Sequence, residues 1–246
     1  MNFPKMILFD YGGTLCVEEA PFDGLRGTQA LLEQASANPD QISAEEVLAF
    51  AEYLNQLIGR YDPATDDDDL QLTEVTNESF QRFLYEYLNI SFTMNPVEKA
   101  TLFWDSASHT RPAPYSRELL AFLQAQGIRS GVISNISFSG AVLEQKLNRL
   151  FPENHFEFVL ASSDYVFRKP HPLIFELALR KADLQAEEVW YCGNTVTYDV
   201  YGAYGSGLYP VWYCPEAGPG LEKPDCEHLA IKNWRELEEV LLKLKN

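Results

Sequence analysis

The chain has 246 residues, 46% hydrophobic and 13% aromatic, enough for one or two domains at roughly 150 residues each and too apolar for an unfolded chain. Its 36 Asp and Glu against 19 Lys and Arg give a formal charge of −17, the wrong sign for a nucleic-acid backbone or an anionic membrane surface. Cys16, Cys192, Cys214 and Cys226 are too few for a disulfide scaffold and lack the spacing of a zinc knuckle.

In chain order, residues 6–10 (MILFD) read as a strand. No small-residue cleavage site follows this apolar run, so it is not read as a signal peptide. No stretch approaches the roughly 20 apolar residues that cross a bilayer, and a cytoplasmic setting is expected. Residues 16–110 hold eighteen acidic residues and four basic ones (Arg26, Arg60, Arg82, Lys99), a net −14 against −3 for the rest. This shift predicts two units: a core of residues 1–15 and 111–246, and an inserted unit of residues 16–110. Within the insertion, Ser43 and Glu46 form a capping-box signature ahead of Val47, Leu48, Phe50, Ala51 and Leu54 at helical spacing. A second helical run holds Phe80, Phe83, Leu84, Tyr87 and Leu88, with Asn77 as its expected N-cap. Asp66, Asp67, Asp68 and Asp69 fall between them in an expected acidic loop, without the glycine and alternating ligands of a calcium loop.

Beyond residue 110, strand and helix alternate. Helices are expected at 116–126 (stopped by Gly127), 138–150, 172–182 (opened by Pro172) and 233–244, and strands at 129–134, 158–161, 188–192 and 209–213. This alternation predicts an α/β fold, a parallel sheet with helices on both faces. Ligands of such sheets collect beyond the carboxyl ends of the strands. The residues at those ends are Asp10 with Tyr11, Gly12, Gly13 and Thr14; Ser134 with Asn135; Arg168 with Lys169 and Pro170; and Gly193 with Asn194 and, five residues on, Asp199.

Each has an ordinary structural use as a turn or cap residue, but together they suit a phosphoryl group. Asp10 offers a nucleophile. Gly12 and Gly13 allow close backbone approach and N–H contacts to an anion. Thr14, Ser134 and Asn135 are expected to bind substrate, and Lys169 to hold Asp10 and the transferring group. Asp10, Asn194 and Asp199 are oxygen donors suited to magnesium.

The segment from Ile7 to Leu15 (ILFDYGGTL) resembles motif I of the haloacid dehalogenase-like hydrolases, D-x-D-G-T-L. Ile133-Ser134-Asn135 resembles motif II, Arg168-Lys169-Pro170 motif III, and Gly193-Asn194 through Asp199 with Gly202-Ala203 motif IV. The resemblance implies a Rossmann-like core, an all-helical cap inserted after motif I, an Asp10 nucleophile, and magnesium held by Asp10, the Gly12 carbonyl and motif IV. It implies a phosphatase of a small phosphorylated metabolite.

Two departures stand out. Gly12 replaces the aspartate that, in the family's phosphatases, protonates the leaving group and activates water, a contribution of roughly 10²–10⁴-fold. Asn194 replaces a charged ligand with a neutral one. Tyr11, Glu18 and Asp23 are candidates for the missing acid–base. Two alternatives stay open: a hydrolase of C–X bonds, of 2-haloacid dehalogenase or phosphonatase type, and a low-turnover phosphate-binding or regulatory protein. Cys16 is read as hinge packing and Arg111 as a hinge contact. The acidic insertion reads either as a solubilising surface with no part in selectivity or as a lid that favours a small monophosphate with a neutral or cationic remainder.

Overall fold

The computed structural model describes residues 2–58, 72–215 and 223–245. The aspartates at 66–69 lie outside the described residues.

The chain opens with β1 (Met6–Phe9), whose four apolar residues are all buried. Ile7 and Phe9 enter one core cluster, Met6 and Leu8 the other. Successive side chains of a strand point to opposite faces, so both faces of β1 are covered. The first cluster includes residues of α5 (Ser116–Ala125), α6 (Gly140–Leu150) and α10 (Trp234–Lys245). The second is packed by α8 (Pro172–Ala182) and Ala203 of α9 (Tyr201–Gly205).

The sheet also contains β4 (Arg129–Ser134), β5 (Phe156–Ala161), β6 (Val189–Gly193), β7 (Tyr209–Tyr213) and β8 (Leu229–Ile231). Its order is β5-β4-β1-β6-β7-β8, and every pairing is parallel. From β1 the chain moves outward through β4 to β5, then crosses to β6 on the other side of β1. That reversal places the switch point, and the expected ligand crevice, beside the carboxyl end of β1. The Rossmann-like expectation holds, with strand ends within two residues of their predicted positions.

The insertion leaves through β2 (Cys16–Glu18) and returns through β3 (Thr110–Pro112), which pair antiparallel with Cys16 opposite Pro112. Arg111 and Glu19 form an exposed ion pair beside this ribbon. Between the two strands run α1 (Gly24–Leu32), α2 (Ala44–Leu57), α3 (Asn77–Tyr87) and α4 (Pro96–Ala107), a helical cap with its own cluster around Leu31, Val47, Leu84, Tyr85 and Ile90. The Ser43–Glu46 capping box is present, with both reciprocal bonds formed. The N-cap of α3 is Thr76 rather than Asn77: Thr76 Oγ1 accepts from the Ser79 N–H at 3.1 Å, and Asn77 is the first helical residue. Among the described residues no helix is long and apolar enough to cross a membrane.

Candidate active site

Asp10 follows β1 directly, and Lys169 reaches it across the switch point. Lys169 Nζ donates to Asp10 Oδ1, Asp199 Oδ1 and Tyr191 Oη, each at 2.7 Å. An ammonium has three donors, and all three are engaged. Burial opposes the charge of Lys169, but the carboxylates of Asp10 and Asp199 outweigh it and raise the amine above its ordinary value. The Asp10 carboxyl is pushed up to about 6, chiefly by burial, with Lys169 pulling it down and Asp199 pushing it up. Asp199 is held on both oxygens: Oδ1 by Lys169 and Oδ2 by the Thr195 N–H at 2.8 Å. A Cβ on Gly193 would overlap the Asp199 side chain, so this approach requires glycine.

The loop carrying Lys169 is clamped by Asn135, whose Nδ2 donates to Lys169 O at 2.8 Å and whose Oδ1 accepts from Lys169 N at 2.7 Å. Asn194 Oδ1 accepts from Thr14 Oγ1 at 3.2 Å. Gly13 has a φ of +71°, and a Cβ there would lie 2.6 Å from Asn194 Nδ2. Its N–H donates to Cys16 O at 2.8 Å, within the turn rather than to an anion.

These groups surround a cavity of about 220 Å³. Asp10, Gly12, Ser134, Asn135, Lys169, Asn194 and Asp199 line it; Gly13 and Thr14 stand outside its wall, against Asn194. Of the three acid–base candidates, Tyr11 lines the cavity, but burial drives its phenol far upward. Glu18 is bound by Ser108 and Thr110, and Asp23 caps α1; neither lines the cavity.

Residues not read as functional also touch these groups. Tyr191 looked like a sheet residue, and its position on a buried strand gave no sign that its hydroxyl meets Lys169. Tyr198 and Thr195 enter from the π-helical turn Val196–Val200 and the residue before it, a local irregularity frequent at functional sites. Arg168 also lines the cavity, and the cap supplies its partner. Residues 72–74 run beside 166–168, with Thr73 and Phe167 bridged antiparallel, Glu74 N donating to Val166 O at 2.7 Å and Arg168 N donating to Leu72 O at 2.9 Å. Glu74 Oε2 accepts from Arg168 Nη1 at 2.5 Å and from Ser162 Oγ at 2.9 Å. A second contact between cap and core is made by Trp104 of α4, which stacks on Phe138 at 4.6 Å, with Lys146 Nζ 4.5 Å from the indole.

The family described as haloacid dehalogenase-like hydrolase matches residues 7–212. The chain belongs to the haloacid dehalogenase-like hydrolases. It is 28% identical over 183 residues to the glyceraldehyde 3-phosphate phosphatase of Pyrococcus furiosus, covering 70% of this chain and 75% of that protein. A second relative of the same name, from Methanocaldococcus jannaschii, is 30% identical over 137 residues, 55% of this chain and 58% of that protein. With such relatives this haloacid dehalogenase-like hydrolase is phosphatase-like. Among solved structures, a 2-haloacid dehalogenase from Pseudomonas syringae superposes with a TM-score of 0.64 at 23% identity, covering 98% of this chain and 99% of that one. A phosphatase of the same superfamily from Thermococcus onnurineus does so with 0.61 at 22%, covering 98% of each chain. At these identities the likeness is one of fold, and the fold is shared by both chemistries.

Proposed function

We propose that the chain is a magnesium-dependent phosphatase of a small phosphorylated metabolite, acting in the cytoplasm. Its core would comprise residues 1–15 and 111–246, and its cap residues 16–110. The observation that carries the reading is the contact of Lys169 Nζ with both Asp10 and Asp199 at 2.7 Å, in a cavity at the switch point. Relatives named as phosphatases of a small sugar phosphate support it.

Lys169 holds one oxygen of Asp10 and leaves the other to attack phosphorus. The new Asp10–phosphorus bond forms as the ester bond breaks, and its electron pair leaves on the substrate oxygen, which takes up a proton. Water then attacks the aspartyl-phosphate, releasing inorganic phosphate and restoring Asp10. The Ser134 hydroxyl and the Gly12 N–H would donate to the phosphoryl oxygens, while Asn135 keeps Lys169 in place.

The residues present suit magnesium. Asp10, the Gly12 carbonyl and Asn194 are oxygen donors at the cavity, and Asp199 would act at one remove through Lys169. Two carboxylates face the single Lys169 ammonium, leaving negative charge for a cation. Among the described residues no cluster of three or more His, Cys, Asp or Glu could hold a metal ion. That sparse set fits magnesium, which retains several waters and uses one or two carboxylates with substrate oxygens. Bound there, the ion would offset the negative charge of the phosphoryl group.

The test is phosphate release from a panel of metabolite monophosphates with and without magnesium, alongside halide release from 2-haloacids. Halide without phosphate overturns the reading. Gly12→Asp probes the absent acid. A Cβ at position 12 meets nothing within 4 Å, so the first atom of the new side chain makes no clash. Turnover is expected to rise by about 10²–10⁴-fold; no gain means that the proton transfer is supplied elsewhere or is not limiting.

A further inference from the structure

Two cations stand in the cavity wall, Arg168 and Lys169, and among the described residues the carboxylates of Asp10, Asp199 and Glu74 form ion pairs with them. Asp10 and Asp199 belong to the sheet ends. Glu74 is brought by the insertion, and its side chain is 1% exposed. Its place is fixed by the Thr73–Phe167 bridge, by its own N–H on Val166 O, and by the Ser162 hydroxyl. The charge of Arg168 is therefore matched by the cap before any ligand arrives. The five groups together keep one negative charge.

A single phosphoryl group is served by Lys169, Ser134 and the turn after β1. A second anionic group, phosphate or carboxylate, meets a wall in which both cations already hold carboxylates. At Arg168 it meets a guanidinium that Glu74 already engages. Rejecting a ligand by leaving its extra charge without an available counter-charge is an effective route to selectivity, because the penalty falls on the wrong ligand alone.

We propose that Glu74 is a specificity-determining residue: by engaging Arg168 from the cap, it restricts the site to phosphate esters whose remainder carries no second anionic group. The inference rests on the phosphatase reading above and narrows its substrate class.

The experiment uses the full chain with magnesium. Values of kcat/KM are measured for a three-carbon monophosphate with a neutral remainder, for a bisphosphate of similar size, and for a phosphate that also bears a carboxylate. Calorimetric binding of inorganic phosphate and of pyrophosphate gives the same comparison without turnover. The wild type is expected to favour the neutral-remainder ester, and phosphate over pyrophosphate. Glu74→Gln leaves Arg168 for the second anion, and should raise the doubly anionic-to-neutral ratio by about tenfold or more, through KM. Glu74→Leu combined with Arg168→Met removes both charges together and should keep the wild-type ratio. If Glu74→Gln does not fold, Glu74→Asp, which withdraws the carboxylate, should shift the ratio the same way by less.

An unchanged ratio in the single variant overturns the proposal. An equal rise in the double variant also does so, since a loosened cap rather than a released cation would be responsible. A wild type that prefers the bisphosphate overturns it as well. If the protein neither releases nor binds phosphate, the phosphatase reading falls and carries this one with it; phosphate release with an unchanged ratio sinks the inference alone.

Discussion

Arg168 and Lys169 are neighbours in sequence, yet they bind opposite parts of the molecule. Lys169 turns into the sheet and joins two carboxylates from the ends of the core, with Tyr191 as a third partner. Arg168 is held by a carboxylate 94 residues away in the insertion. Both side chains are almost fully buried, at 2% and 8% exposure. One pair belongs to the proposed reacting centre, and the other ties the cap to the wall of the cavity. A third pair, Arg129 with Glu157, offers a contrast: it is bidentate at 2.6 Å, but both side chains are more than a third exposed. Geometry is good in all three, so burial and location set what each is worth.

The sharpest way to break this ranking is Asp10→Asn. It removes the proposed nucleophile while leaving Lys169 paired to Asp199, so phosphate release should fall to background and the fold should persist, measured by a release assay beside circular dichroism. Retained turnover would remove Asp10 from the chemistry. Next is Lys169→Met. Two carboxylates would then face each other without their cation, and stability should drop by roughly 3–5 kcal/mol in urea unfolding. The paired change Glu74→Leu with Arg168→Met takes out both members of the cap pair. Its stability should be unchanged or somewhat higher, because attraction in a buried pair is offset by lost hydration. A large loss would mean that this pair anchors the cap energetically.

The smallest effect is expected for Glu157→Gln. Arg129 holds the Glu157 carboxyl below its ordinary value, so the pair stabilises the fold above that ordinary value and loses its contribution as pH falls through the lowered one. The variant should lose less than about 1 kcal/mol at neutral pH, given the exposure of both groups. The difference should vanish in acid, as read from melting curves at both conditions.

The sheet was legible because its strands are continuous apolar runs with helices between them, and the residues at their ends share one chemistry. β8 escaped because three residues, Leu229–Ile231, carry too little pattern. Two cap helices escaped for different reasons. α1 contains Gly24 and Gly27, poor helix formers, but Gly27 lies where a Cβ would come 2.9 Å from Phe103 of α4. Close packing of α1 on α4 overrides propensity there. α4 carried a readable signal in Asn95, Pro96 and Glu98, a capping box with proline at the first turn. Glu74 gave no local sign of its role. Its partner is set by how the cap folds back on the sheet, which no spacing in the chain encodes.

The β2–β3 ribbon has a consequence for how such a protein can be re-engineered. Entry and exit of the insertion sit side by side, with Glu18 paired to Thr110. A short hairpin turn linking those two positions would close the ribbon and excise everything between them, while the six parallel strands keep their connectivity. The same splice point would accept a foreign lid of any length whose ends meet, so the reach of the pocket can be altered without rewriting a residue of the sheet.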